Sequence, residues 1–107
     1  MYDPKNPAYA DRKKKVLVES KNRLQKLDSY IAKKKWSDVT GELDRYMYET
    51  RGAVRGLATT FEQKEAAEEF FKAIEATDMA ARLKKQDQCS RAAAASISRL
   101  DAFVSKL

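Results

Sequence analysis

The chain has 107 residues, of which 36% are charged and 43% are hydrophobic, and its formal net charge is +6. This composition favours one domain of amphipathic helices with charged outer faces. No run approaches the ~20 apolar residues that cross a bilayer, and the single cysteine excludes a disulfide within the chain. No secretory or transit leader is visible, so we expect any targeting segment to have been removed.

The positive charge is concentrated at the start of the chain. Residues 1–35 hold eleven Lys or Arg against four Asp or Glu, a balance of +7, whereas residues 36–107 balance at −1. A solvated lysine face that serves solubility explains such a run, and so does electrostatic docking onto an acidic partner. Both interpretations stay open at this point.

The first six residues lack periodicity and are predicted to form a short extended arm. Asn6 and Pro7 then suit a helix N-cap followed by proline at the first helical position. Helix 1 is predicted over residues 7–34. Its first turns are expected to overhang the core, because Lys13 falls on the apolar stripe and lysine is rarely buried. The stripe itself, at helical spacing, is Leu17, Leu24, Leu27 and Ile31.

Helix 2 is predicted over residues 37–58, after a tight corner that contains three lysines and the only tryptophan. Asp38 lies in its first turn, where a carboxylate suits the helix dipole. Gly52 and Gly56 either permit the close approach of another backbone or weaken the helix, and the sequence leaves both alternatives open. The apolar stripe is Val39, Leu43, Met47, Val54 and Leu57.

Helix 3 is predicted over residues 61–85, where Thr60 and Gln63 have the spacing of a capping box. Lys84 and Lys85 place cations at the favourable helix terminus. Its stripe is Ala67, Phe70, Phe71, Ile74, Asp78 and Ala81.

A second corner, Gln86-Asp87-Gln88, precedes helix 4 at residues 88–107. The helix 4 stripe is Cys89, Ala93, Ser96, Ile97, Leu100, Phe103, Val104 and Leu107. Four helices joined by short corners predict an all-α fold, an up-down-up-down four-helix bundle over residues 7–107 behind the arm at 1–6. In such a bundle Leu17, Ile31, Leu43, Phe70 and Leu100 gather at one centre.

Catalytic and metal chemistry has little support in the sequence. The chain has no histidine, which removes Ser-His and Cys-His catalysis and the Glu-x-x-His pairs of di-iron bundles. Glu65, Glu68 and Glu69 are interpreted as an exposed acidic face, and Cys89 as a small core residue. We expect no enzymatic activity, no metal site and no cofactor.

Partner binding is the remaining class, and basic residues are its candidates. Arg51 and Arg55 lie beside the core stripe of helix 2, and arginine is enriched in recognition surfaces. Trp36 either covers the end of the bundle or docks a partner. The net charge alone is compatible with nucleic-acid binding. The chain lacks a nucleic-acid motif and a pattern of exposed aromatics alternating with basic residues, so the leading interpretation includes no nucleic acid. The candidate partner-binding residues are Arg12, Lys13, Lys14, Lys15, Lys33, Lys34, Lys35, Trp36, Arg51 and Arg55.

An ordered set of residues spanning positions 12–107 carries a family resemblance. The first half reads Leu24-x-x-Leu27-x-x-x-Ile31-x-Lys33-Lys34-x-Trp36-x-x-Val39-x-x-x-Leu43, followed by Arg51. The second half reads Phe70-Phe71-x-x-Ile74-x-x-x-Asp78-x-Ala80-Ala81-x-x-Lys84-Lys85, then Leu100-Asp101-x-x-Val104-x-x-Leu107. This order resembles the PsbQ-type extrinsic proteins of photosystem II. The short arm and the lack of tyrosine in helix 4 depart from the plant members and favour an algal or diatom branch.

The resemblance implies a non-catalytic subunit in the chloroplast thylakoid lumen, peripheral to the membrane and monomeric when free. It implies contact with photosystem II core subunits and other extrinsic subunits, and retention of the calcium and chloride that the manganese cluster needs. The alternative is a basic helical adaptor that binds an acidic protein or nucleic acid. Binding to a membrane surface through helix 1 is disfavoured, because the apolar face of that helix is needed in the core.

Overall fold

A computed structural model describes residues 7–107, apart from the side chains of Pro7, Tyr9, Tyr46 and Met47. The arm predicted over residues 1–6 and the core position predicted for Met47 therefore lie outside the described residues. Within the described range the regular structure is entirely α-helical, which confirms the all-α prediction. The helices are α1 (Pro7–Ala32), α2 (Trp36–Leu57), α3 (Phe61–Arg82) and α4 (Gln86–Ser105).

The start of α3 is fixed by the predicted capping box. The Gln63 backbone N–H donates to Thr60 Oγ1 at 3.1 Å, and the Thr60 N–H donates to Gln63 Oε1 at 3.1 Å. Gln63 Nε2 also donates to the Lys106 carbonyl at 2.9 Å. The cap thus satisfies free donors of the first turn and ties the start of α3 to the end of α4.

The helices before the two corners end earlier than predicted, α1 at residue 32 and α3 at residue 82. Lys34 and Lys84 adopt left-handed backbone conformations, with φ of 55° and 56°. In the first corner the Lys34 N–H donates to the Ile31 carbonyl at 3.0 Å, and the Lys35 N–H donates to the Tyr30 carbonyl at 2.9 Å. These bonds satisfy the last carbonyls of α1 and reverse the chain direction, so the helix cannot continue.

The second corner repeats the geometry of the first. The Lys84 N–H donates to the Ala81 carbonyl at 3.1 Å, and the Lys85 N–H donates to the Ala80 carbonyl at 2.9 Å. The helix and turn assignments over residues 81–90 match those over 31–40, and the pattern of buried and exposed positions is also the same. The next helices begin at Trp36 and Gln86, one and two residues earlier than predicted.

One apolar core receives side chains from all four helices. Leu17, Ile31, Leu43, Phe70 and Leu100 all belong to it and are at most 3% exposed, which confirms that they gather at one centre. Helix α1 packs against α2 and α4, and α3 packs against the same two helices. Burial of apolar surface among the four helices is therefore the main source of stability.

Three positions in the predicted stripes differ from the structure. Thr77 is fully buried, whereas Asp78 is half-buried, and its Oδ2 accepts a hydrogen bond from Arg82 Nε at 2.8 Å. Val104 is 44% exposed, since Phe103 beside it fills the core at this end of α4. Leu107 lies beyond the last helical residue and is 38% exposed.

Buried hydroxyl groups lie between the two helices of each helical hairpin, that is, between α1 and α2 and between α3 and α4. Ser20 of α1 meets Thr50 of α2, and Thr77 of α3 meets Ser96 of α4 at 3.2 Å. Ser20 Oγ donates to the Val16 carbonyl at 2.7 Å, so the Thr50 hydroxyl is the donor of the first pair. Thr77 Oγ1 donates to the Ala73 carbonyl at 2.8 Å, and Ser96 Oγ donates to the Ala92 carbonyl at 2.9 Å. Because all four hydroxyls are hydrogen-bonded, their burial leaves no unpaired polar group.

Gly52 makes the protein less stable than alanine would at the same position. It is exposed in α2, and an added Cβ would meet nothing within 4 Å, which excludes a close backbone approach at this residue. We expect Gly52→Ala to raise the free energy of unfolding by about 1 kcal/mol, because alanine loses less backbone entropy in a helix. Urea denaturation measures the change. The reverse substitution Ala94→Gly, at an exposed position of α4, should lower it similarly. Unchanged stability of Gly52→Ala would contradict this account.

Candidate functional site

The two corners lie at the same end of the molecule. Gln86 Nε2, in the first turn of α4, donates to the carbonyls of Ile31 at 3.0 Å and Ala32 at 3.3 Å, at the end of α1. The opposite end is held by the bond from Gln63 to the Lys106 carbonyl. The residues that these corners bring together, called the corner end below, are Lys33, Lys34, Lys35, Trp36, Leu83, Lys84 and Lys85.

The corner end is strongly cationic. Its five lysines are all exposed, and in the described part of the chain none of them lies within 4 Å of a carboxylate. Asp38 and Asp87, in the first turns of α2 and α4, are exposed carboxylates nearby in sequence and offset part of this charge. The balance at this end of the bundle is therefore positive.

Arg82 differs from these lysines because it is engaged within the protein. Its Nε donates to Asp78 Oδ2 at 2.8 Å, and one terminal nitrogen lies 3.8 Å from Asp44 Oδ1. The hydrogen bond to Asp78, supported by the charges of Asp78 and Asp44, raises the pKa of Arg82. This guanidinium links α3 to α2, so it is not counted with the corner end.

The apolar residues of the corner end are unequally covered. Trp36 is half-buried and packs against the core, consistent with the interpretation of a ring that covers the end of the bundle. Leu83, the C-cap residue of α3, is 56% exposed. The equivalent position of the first corner is Lys33. Leu83 is thus an exposed apolar side chain that is followed in sequence by Lys84 and Lys85.

The second group of predicted residues lies on the first turns of α1. Arg12, Lys14 and Lys15 are exposed, and Lys13 is half-buried. Lys14 borders a groove between α1 and α4 whose walls include Val18 and Val104. At ~1.5 Å of rise per residue, Lys14 lies roughly 27 Å along the helix from the end of α1. This cluster is therefore separate from the corner end.

The third group consists of Arg51 and Arg55 on the side of α2 that faces α3. Their guanidinium carbons lie 5.1 Å and 5.7 Å from the centre of the Phe71 ring. Arg51 also approaches Glu75 Oε1 at 3.6 Å. Both guanidinium groups thus cover the Phe71 ring at the edge of the core. They contribute to packing in addition to any role in partner binding.

The structure therefore distributes the ten predicted residues over three regions instead of one. It also places Leu83, Lys84 and Lys85, which were not predicted as site residues, at the corner end with Lys33 to Trp36. The sequence held a signal for this addition, since the Lys-Lys pair at 84–85 follows the pair at 34–35 by a whole hairpin. The two lysine pairs form one surface only when the two helical hairpins pack with their corners at the same end of the molecule.

The remaining groups discussed from the sequence are a buried thiol and an exposed acidic face. Cys89 is fully buried, and burial, followed by the charge of Asp78, raises the pKa of its thiol. Glu65, Glu68 and Glu69 are exposed, as predicted. Within residues 7–107, no three Cys, Asp or Glu side chains whose positions are described form a group that could hold a metal ion.

No described helix combines the length and apolar character that crossing a bilayer requires. No protein-family model matches the chain, and the search of curated proteins found no significant match. Its function is therefore inferred from the residues themselves and from their arrangement in the fold.

Proposed function

We propose that this chain is a non-catalytic, PsbQ-type extrinsic subunit that docks on the lumenal face of photosystem II in the chloroplast thylakoid lumen. The observation that carries the proposal is the division of the resembling residues between core and surface. The apolar members, such as Leu27, Val39 and Phe70, are buried, whereas the lysines at 33–34 and 84–85 form one exposed end. A rigid body with localised charge suits docking onto an acidic host.

The proposed architecture is an up-down-up-down bundle. It is supported by the bond from Gln86 to the end of α1, which joins the two corners, and by the bond from Gln63 to Lys106 at the other end. The contacts of α1 and α3 with both α2 and α4 agree with this order. Such a bundle presents cations at both ends, namely the corner end and the cluster Arg12, Lys14 and Lys15.

In the proposed role, the protein binds core subunits and other extrinsic subunits of photosystem II as a monomer. It shields the manganese cluster environment and retains calcium and chloride. The chain itself supplies no catalytic step. Its contribution is a bound, structured layer that slows the loss of ions, and the electrostatic part of its binding is sensitive to salt.

The first test is release by salt. Washing oxygen-evolving membranes with ~1 M salt shortens the screening length to about 3 Å, so we expect the protein to dissociate. Oxygen evolution at low calcium and chloride should then fall and recover when the protein is added back. Retention of the protein after the wash, or unchanged oxygen evolution after its removal, would refute the proposed function.

A set of variants locates the docking surface. Replacing Arg12, Lys14 and Lys15 with glutamate should weaken rebinding to washed membranes at least about tenfold, because attraction becomes repulsion. The control reverses the same number of exposed charges elsewhere, with Lys26→Glu, Lys64→Glu and Arg91→Glu. Equal rebinding of the two variants would show that the α1 cluster is not the docking surface. Circular dichroism checks that both remain folded.

A further inference from the structure

We propose that the corner end binds directly to the surface of an anionic lipid bilayer, with Leu83 entering the headgroup region. The surrounding lysines would contact the anionic headgroups. This activity goes beyond the proposed function and does not depend on it, because lipid alone forms the binding surface. The bundle would stand on the membrane through the end that carries both corners.

The exposure of Leu83 is the first observation. Leu83 is 56% exposed at the point where Lys84 reverses the chain, so it protrudes from the fold instead of packing within it. An apolar side chain at such a tip gains free energy when a headgroup layer removes its remaining surface from water. Trp36, half-buried in the other corner at the same end of the molecule, is the residue type most typical of membrane interfaces.

The charge around Leu83 is the second observation. The end of the molecule that carries Leu83 also carries five exposed lysines, and none of them lies within 4 Å of a carboxylate in the described part of the chain. The aspartates of the adjoining first turns only partly offset their charge. Flexible lysine stems can lie along an apolar surface while their ammonium groups reach phosphate oxygens. Each cation near an anionic bilayer strengthens binding roughly fivefold.

The type of cation at the corner end suits a lipid surface. Arginine binds carboxylates bidentately through its planar fork, whereas lysine is a point charge on a flexible stem. The corner end consists of lysines, and the neighbouring Arg82 is already engaged by Asp78 and Asp44. A bilayer surface needs positive charge near it without a fixed pairing geometry, and a set of mobile lysines provides this.

The experiment uses the whole chain and protein-free vesicles. Phosphatidylcholine vesicles containing about one-third phosphatidylglycerol supply the negative surface, and pure phosphatidylcholine vesicles are the neutral control. We expect co-sedimentation with the anionic vesicles alone, at low salt. Trp36 is the only tryptophan, so its emission should shift to shorter wavelength on binding.

Two pairs of variants test the surface. Lys33→Gln, Lys34→Gln and Lys84→Gln together should weaken vesicle binding about 100-fold, at roughly fivefold per lysine. The matched triple variant at Arg12, Lys14 and Lys15 removes the same charge and should change binding less than about threefold.

The apolar contribution is tested with Leu83→Ser, which should weaken vesicle binding about fivefold through the loss of buried apolar area. Its control is Val18→Ser, which alters a side chain on α1 that is 64% exposed, and should leave binding unchanged. Circular dichroism establishes that every variant is folded.

Three outcomes would overturn the inference: no binding to anionic vesicles, equal losses for the two triple variants, or full binding by Leu83→Ser. Binding to an acidic protein but not to vesicles gives the first of these. Each outcome is independent of the salt-wash result, because the vesicles contain no photosystem. A protein that rebinds to photosystem membranes but not to vesicles retains the proposed function and lacks this lipid contact.

Discussion

Replacing Phe70 with alanine is expected to lower the free energy of unfolding by about 3–5 kcal/mol. Phe70 is fully buried in α3, and its ring lies 5.8 Å from that of Phe71 at a tilt of 49°. Truncation removes the transfer free energy of the ring and leaves a cavity among the four helices. Small domains have free energies of unfolding of roughly 5–15 kcal/mol, so this one substitution should remove a large fraction of the free energy of unfolding.

The matched control for this experiment is Phe61→Ala in the same helix. Phe61 is 80% exposed, so its truncation should change the free energy of unfolding by less than about 0.5 kcal/mol. Denaturant titration followed by circular dichroism measures both variants. Similar losses for the two phenylalanines would contradict the core described here.

Cys89 is expected to react with a thiol reagent at least about 1,000-fold more slowly than an exposed cysteine, because it must wait for opening of the fold. Its side chain is 0% exposed, and its Sγ lies 3.6 Å from the Thr77 carbonyl, to which the S–H donates. Burial, and then the Asp78 charge, raise the pKa of this thiol, so less of the reactive thiolate forms. The absorbance of the released reagent group gives the rate.

The control chain carries Gln88→Cys together with Cys89→Ala, which moves the thiol to an exposed neighbour. It should react at nearly the rate of a small free thiol. Denaturant should bring the native chain to the same rate, since unfolding exposes Cys89. Fast labelling of the native chain without denaturant would contradict the burial of this residue.

The raised pKa of Cys89 also gives the sign of a pH effect. The unfolded chain loses the thiol proton at its ordinary pKa, whereas the folded chain holds the proton to higher pH. The stabilising contribution of this group is therefore present below the ordinary thiol pKa and is lost as pH rises toward the folded pKa. Comparison with Cys89→Ala separates this contribution from that of other titrating groups.

Helical periodicity was sufficient to predict the class of fold and most of its core. Leu24 and Phe103, placed on their stripes by spacing alone, are buried. Periodicity was less informative where a polar residue takes a core position. Ser20, Thr50 and Thr77 are fully or almost fully buried because each hydroxyl finds a partner, and a partner on another helix cannot be read from one stripe.

The helix ends were harder to predict because the corners use lysine in a left-handed conformation. Glycine or asparagine usually occupies such a position, and neither is present at Lys34 or Lys84. The sequence therefore gave no stop signal, and the first and third helices were predicted two and three residues too long. Capping at Thr60 had a recognisable sequence pattern, and α3 begins where it was predicted.

The candidate surface could be predicted only in part. Net charge and local clustering identified Lys33 to Lys35 and the cluster at Arg12, because these are properties of neighbouring residues in the chain. The placement of Leu83 and Lys84 at the same end as the first corner depends on how the hairpins pack together, so it could not be predicted from neighbouring residues. The contact between Arg51 and the Phe71 ring likewise joins two helices, so this packing contribution could be found only from the structure.

The matching geometry of the two corners bears on the order of events during folding. Each corner closes through bonds between residues only three to five positions apart, as in the pairs Lys34–Ile31 and Lys35–Tyr30. These local bonds set the direction of each turn at little cost in loop entropy. The contacts between α1 and α4 span longer stretches of chain than those within α1–α2 or α3–α4, so we expect them to form later during folding.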